Sequence, residues 1–540
     1  MAQKINGVTY EAPNSAQMME NVYQLALQNV YTHADDMGLK SNLEKDLAAK
    51  FLGARNGKVF ASKIWKFATN TSSVGEKLQD SVGLTAKPAT DTEAGQDDFA
   101  EESGIFQWMR CNYTRDDDGF ARPTAIEGRP NYKTTGAVDV GNVYQTFYYK
   151  VEDHGTYDIY YMSDSEHPEL GLVPWCEAVK ADGTVLPFYV HSAFYSTENE
   201  EGTSSVSNKI LRSLPGCVPA WNQSYNNMLT NYQKKGKGYW GSGNERTLFG
   251  MLMMIIKYAT KNSTSVMAGH YGTYNTQIKV AVAEESTKRV LVADQSKFYK
   301  GCCVSVGTCL DSNKAVTPDR NVASVHDVVN RAQVTNIETV VVSGTEYKAL
   351  TLDVDDAFTT TTDDYVSMMP CMTGETDAVI GHFDGSYLSN TDACHTYRIC
   401  GTEYQNGEGI IDSNVIMKRD EAAGLWRVFA APRGTAHIAN AVTGFTQLPG
   451  GIPIASGDYY SGDIYVDPTT GTFYPVTIGS GDRTGTGDIV AGPQSGAGED
   501  GALREHYTLG TLWYSVASGL AYVYCWNGLG FAYWTCGSCD

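Results

Sequence analysis

The chain has 540 residues, a net charge of −21 and a sequence pI near 4.9. That acidic balance, with no basic tract, excludes the clustered Lys and Arg that a nucleic-acid footprint needs. The longest apolar run, residues 248–256, is too short to span a bilayer, so no membrane insertion is expected.

Composition sets the fold class. Apolar residues make up 42% of the chain, enough for a large core, and 34 Tyr with 54 Gly favour strands, turns and contact surfaces over helix bundles. The expectation is a β-rich α+β protein. The opening stretch "MAQKINGVTYEAPN" has no apolar leader pattern. Synthesis in a cytoplasm is therefore expected, where the twelve Cys would stay free.

The first elements are helical. Met19, Val22, Tyr23, Ala26, Leu27, Val30 and Tyr31 recur at helical spacing after Asn14 or Ser15 as N-cap. A second helix starts at Ser41 with Glu44 three residues on, a capping-box pattern, and Gly53 as its stop. Residues 70–100 are rich in Thr, Ser, Gly and Asp and read as a long loop or linker. Strands with aromatic faces follow at 143–152 and 157–163. The stretch 244–260 is apolar around most of a helical circumference, which predicts a buried helix. Between 275 and 385 short apolar runs alternate with turn residues, the pattern of a small β-barrel or sandwich. After residue 400 the text is Gly-rich and irregular, with 479–502 as a flexible loop.

Motifs for chemistry are sparse. "TRDDDG" at 114–119 places Asp116, Asp118 and Gly119 as in a calcium loop, but Thr114 and Ala125 stand where acids belong, so it reads as a solvated turn. "SDSEHPE" at 163–169 reads as a charged turn. Cys525, Cys536, Cys539 and His506 do not have zinc-site spacing. No metal and no cofactor are expected.

The stretch 512–540, "LWYSVASGLAYVYCWNGLGFAYWTCGSCD", is different in kind. It holds four Tyr, three Trp, one Phe and three Cys, and no Lys, Arg, Glu, Gln or Met. Tyr and Trp give large, stiff contact area while Ser, Gly and Asn adapt, the mixture used by antibody paratopes. Residues 514–525 and 531–533 also lack Trp. The set that remains is what adenine-only changes within AAC or AAT codons can reach.

With these residues in view, the chain resembles the variable proteins of phage diversity-generating retroelements, which have a C-type-lectin fold. The matching text is "REHYTLGTLWYSVASGLAYVYCWNGLGFAYWTCGSCD" at 504–540, and 173–195, 208–222 and 244–269 are similar to the family's body. Such families often close on G-x-R, where this chain has Gly537, Ser538 and Cys539. The resemblance implies a receptor-binding protein of the virion, at the tail tip or fibre, not an enzyme. It also implies a homotrimer and a host-cell surface protein or glycan as receptor. The implied contact residues are Tyr514, Ser515, Val516, Ala517, Ser518, Tyr522, Tyr524, Cys525, Asn527, Phe531, Ala532, Tyr533, Thr535, Ser538 and Cys539. Trp513, Gly519, Leu520, Trp526, Gly528, Leu529, Gly530 and Trp534 would be scaffold. Implied domains are a virion-attachment region at 1–130, a lectin-type domain split into 131–274 and 386–540, and a β-insert at 275–385. The rival classes are a glycan depolymerase, a formylglycine-generating-like oxidase on the same fold, and a purely structural virion protein.

Overall fold

A computed structural model describes residues 3–5, 8–10, 15–66, 75–198, 210–220, 223–271, 276–294, 297–309, 322–406, 408–432, 440–479, 486–492, 500–510, 516–532 and 536–540. Strand outweighs helix along the chain, and the protein is a β-rich α+β fold.

Helices α1 (Ser15–Thr32) and α2 (Asn42–Gly53) are consecutive in the chain and packed on each other. The capping box at α2 is complete. Ser41 Oγ accepts from the Glu44 N–H at 3.2 Å, and the Glu44 carboxylate accepts from the Ser41 N–H at 2.9 Å. Glu44 is also buried against Arg122, 2.8 Å away, which fixes α2 to the hairpin at 109–126.

That hairpin belongs to a four-stranded sheet, ordered Phe188–Ser192, Asp139–Gln145, Met109–Arg115, Ala121–Ile126. A five-stranded sheet runs Val173–Pro174, Tyr148–Asp153, Tyr157–Ser163, Val59–Trp65, Glu76–Gln79. Both sheets pair strands from either side of residue 130. The expected boundary at 130–131 therefore cuts through two hydrogen-bonded ladders. The loop expected over 70–100 is also corrected, because it contributes the edge strand Glu76–Gln79 and the short helix α3 (Asp98–Glu102). Asp97 caps α3 by accepting from the Ala100 N–H at 3.2 Å, and it is buried against Lys257. A buried ion pair holds that polar segment in place where composition alone reads as loop.

Lys257 lies on α5 (Glu245–Tyr258), where every residue from Glu245 to Lys257 is buried. The helix packs on Val59–Trp65 and Tyr157–Ser163 and touches Thr472–Pro475 and Tyr397–Ile399. Leu248, Phe249, Leu252 and Ile256 share the main core with Trp175, Tyr189, Tyr404 and Leu520. The buried Lys257 ammonium needs charged partners there, and it has Asp97 at 2.7 Å and Asp384 at 2.5 Å. Helix α4 (Tyr225–Gln233), capped by Ser224, carries no strong sequence pattern and lies on the late sheet.

Residues 277–368 close into a six-stranded barrel, ordered Gln277–Val282, Arg289–Val292, Thr345–Leu352, Val329–Val342, Cys303–Gly307, Tyr365–Met368 and back to the first. Its interior is Val280, Val290, Val304, Val334, Leu350 and Val366. Closure leaves no free edge in the ring.

The described residues after 400 are not irregular, and most of the flexible loop expected at 479–502, residues 480–485 and 493–499, lies outside them. They build a ten-stranded sheet centred on Gly409–Asp420, which pairs with Leu425–Ala430 on one side and Leu503–Thr508 on the other. Partners 90 residues apart are invisible to a local pattern. Among the described residues no helix is long and apolar enough to cross a membrane.

Candidate recognition site

The stretch singled out by composition enters this sheet. Val523–Tyr524 lies between Leu503–Thr508 and Ile489–Ala491, so both of its hydrogen-bonding edges are paired, and side-chain clusters cover its two faces. Tyr522 is buried in the cluster of Tyr225, Tyr232 and Tyr507, and Val523 and Cys525 are buried in the cluster of Trp426, Tyr474 and Val490. An interior strand packed on both faces leaves few of its side chains to solvent.

Fixed points hold the approach to this strand. The Asp488 carboxylate accepts from the Gly519 N–H at 2.7 Å and the Ala521 N–H at 2.9 Å, and Ser263 Oγ accepts from the Leu520 N–H at 3.1 Å. Thr264 donates to the Val516 carbonyl at 2.9 Å. Gly519 permits this approach, since a Cβ there would lie 2.5 Å from Ser263 Oγ. Residues 536–540 are held as firmly. The Ser196 N–H donates to the Ser538 carbonyl at 2.8 Å and the Ser242 N–H to the Cys539 carbonyl at 2.7 Å. The Asp540 carboxylate pairs with Lys235 and with Arg115. Burial pushes the Asp540 carboxyl up, but these two cations outweigh it and hold it below its ordinary range.

Exposure therefore divides the expected contact residues. Ala517, Ser518, Tyr522, Cys525, Asn527, Ser538 and Cys539 are buried, which corrects the surface position expected of them. Val516, Tyr524 and Ala532 are half-buried, and Phe531 is 45% exposed. Trp526, expected as scaffold, is instead 48% exposed. Gly519, Leu520 and Leu529 are buried, Gly528 is half-buried and Gly530 is exposed. Trp513, Tyr514, Ser515, Tyr533, Trp534 and Thr535 lie outside the described residues. What remains is a loop, 526–532, with two large aromatic rings in solvent and two glycines between them.

Three charged residues beneath this loop carry no recognised motif. Arg504, Glu505 and His506 form the last charged cluster before Asp540, and that is their only local signal. His506 Nδ1 lies 2.6 Å from Asp412, which also accepts from Asn244 at 2.9 Å, tying the strand to the start of α5. Glu505 is fully buried, and its N–H donates to the Asn527 carbonyl at 3.0 Å. Burial pushes the Glu505 carboxyl up to about 8, against the Asn527 side chain and the Tyr225 N–H, which favour the anion. Arg504 is buried beside Trp426.

Elsewhere the polar motifs are structural. Asp116 of the calcium-like turn is taken by Arg122 and by Lys40 at 2.7 Å. Asp164 of the acidic turn accepts from the N–H groups of Asn56 and Gly57. Among the described residues no group of three or more His, Cys, Asp or Glu is placed to hold a metal ion. A second surface feature is α1, which has one charged residue, Glu20, and leaves Val22, Leu25 and Tyr31 exposed.

No protein-family model matches the chain, and no curated protein matches it.

Proposed function

We propose that the protein is a receptor-binding protein whose recognition surface is the loop 526–532 with its half-buried neighbours Val516 and Tyr524. The observation that carries this reading is the pair of exposed rings, Trp526 and Phe531, on a charge-free loop held between firmly bonded segments. Exposed aromatics on a fixed frame bind without a large ordering cost. Buried residues of the same stretch act as the frame. A C-type-lectin type of display, diversified in a phage population and carried on a virion tail tip, is consistent with this division of labour. The partner would be a host-cell surface receptor, with no enzymatic step.

The outer face of α1, on which Glu20 is the one charged residue of the helix, supports a second contact, to other virion proteins or to copies of this chain, with a homotrimer as the assembly that gives avidity. In a chain of net charge −21, a face with a single acid is where like copies approach at low electrostatic cost.

The test is binding to host cells by the purified chain and by the double variant Trp526→Ala, Phe531→Ala. Loss of binding with an unchanged unfolding midpoint is the expected result. Undiminished binding refutes the reading. Sequencing codons 512–540 across one phage population tests diversification separately: a uniform sequence with no nearby template copy removes it.

A further inference from the structure

We propose that the recognition loop takes a carboxylate-bearing saccharide, with Arg504 as the group that binds its carboxylate. The proposal rests on the reading of 526–532 as a binding surface.

Arg504 is 9% exposed, so most of its hydration is lost. Its Nη1 donates to the Leu503 carbonyl at 2.8 Å, and Nε has no acceptor. Among the described residues it forms no ion pair. The neighbouring arginines differ: Arg419 pairs with Glu421, and Arg427 pairs with Asp420 at 2.9 Å. Arg504 instead stacks over Trp426 at 5.6 Å, the same ring that Arg419 covers at 5.3 Å. Burial, and then the neighbouring Arg419, pull the Arg504 guanidinium below its ordinary range. A buried cation without an anion is costly, and the cost is relieved when an anion arrives. The Nε and Nη2 edge is the planar fork that matches a carboxylate with two parallel hydrogen bonds.

The loop lies against this cation. A Cβ on Gly528 would have Arg504 Nη1 as its nearest neighbour, at 4.0 Å. A Cβ on Gly530 would meet nothing within 4 Å. Trp526 and Phe531 flank these glycines in sequence and are 48% and 45% exposed, aromatic surface of the kind that packs on the C–H face of a pyranose. A guanidinium against a loop that carries two exposed rings matches a sugar acid, whose carboxylates are spaced along apolar ring faces. An acidic peptide would bring a row of carboxylates to a chain of net charge −21, which repels it.

The experiment is calorimetric titration of the full chain at low salt. The probes are a hyaluronan oligosaccharide, sialyllactose, the hyaluronan oligosaccharide with its carboxyls reduced to alcohols, and an oligoglutamate. The intact chain is expected to bind at least one of the two acidic saccharides and to prefer it to the oligoglutamate. For a hyaluronan binder, reduction of the carboxyls weakens binding about ten- to a hundredfold; for a sialyllactose binder, lactose replaces the reduced probe with the same expectation. Arg504→Gln loses the same factor and no longer distinguishes acid from neutral probe. Arg504→Lys keeps the charge without the fork and also loses most of the affinity; it serves if the Gln variant does not fold. Binding to neither saccharide, equal binding of acid and neutral probes, full affinity in a folded Arg504→Lys chain, or tighter binding of oligoglutamate each overturns the proposal. If the ring-deleted double variant loses cell binding while no acidic saccharide binds, the recognition surface stands and the saccharide assignment falls. If that variant keeps cell binding, the surface itself falls.

Discussion

Replacing Glu505 by Gln tests the tertiary environment beneath the loop 526–532. The carboxyl is fully buried, and burial moves it from an ordinary 4.5 up to about 8. Between those two values the unfolded chain has released the proton and the folded chain has kept it. The folded state thus binds more protons, and stability falls as pH rises. Its contribution is complete below pH 4.5, declines by about 1.4 kcal/mol for each pH unit, and levels off above about pH 8. The loss is about 3 kcal/mol by pH 7 and on the order of 5 kcal/mol by pH 9. Glutamine keeps the shape and cannot ionise. Urea unfolding of wild type and Glu505→Gln at pH 5, 7 and 9 should therefore give curves that diverge with pH, the variant gaining relative to wild type by about those amounts. Glu403 and Asp139, which burial pushes up to about 7 and about 6, titrate in the same range but are common to both proteins and cancel in the difference. Parallel curves would refute the buried, proton-retaining Glu505.

Three further substitutions probe other levels of the structure. Gly519→Ala places a Cβ 2.5 Å from Ser263 Oγ and 2.7 Å from Asp488 Oδ1, and should cost about 1–3 kcal/mol in urea midpoint analysis, while Gly530→Ala, with nothing within 4 Å, should stay within about 0.5 kcal/mol. Equal effects would show that residues 519–521 are not held against Asp488. Glu44→Ala removes the capping box and leaves Arg122 with Asp116 as its remaining acid, for a loss of about 3 kcal/mol by chemical denaturation. A loss below about 1 kcal/mol would mean that the pair is solvated. Leu25→Glu on the outer face of α1 should leave the unfolding midpoint unchanged and convert an assembly to monomers in sedimentation velocity; an identical sedimentation pattern for both chains would remove α1 as the contact.

Local rules reach a definite depth in this chain. The Ser41 and Glu44 spacing specifies a capping box because both hydrogen bonds are made within four residues. The apolar circumference of 244–260 specifies a buried helix because no side of it favours water. Short apolar runs between turn residues specify the strands at 277–368, and low charge with many aromatic rings marks 512–540 as unlike the rest. Each of these depends on neighbours in sequence.

What the chain does with 512–540 depends on partners far away. Alternation along a strand states which side chains share a face; it does not state whether each face is covered. Ile489–Ala491 and Leu503–Thr508 pair both edges of Val523–Tyr524, and its faces are covered by Tyr225 and Tyr232 on one side and Trp426 and Tyr474 on the other, which buries Tyr522 and Cys525. Trp526 passes from expected scaffold to exposed ring because the chain leaves the ladder there. Among the described residues Arg504 has no anion, while Arg419 of the adjacent strand pairs with Glu421. Composition named the surface-rich stretch, and only the pairing of strands tens of residues apart selected which of its rings meet solvent.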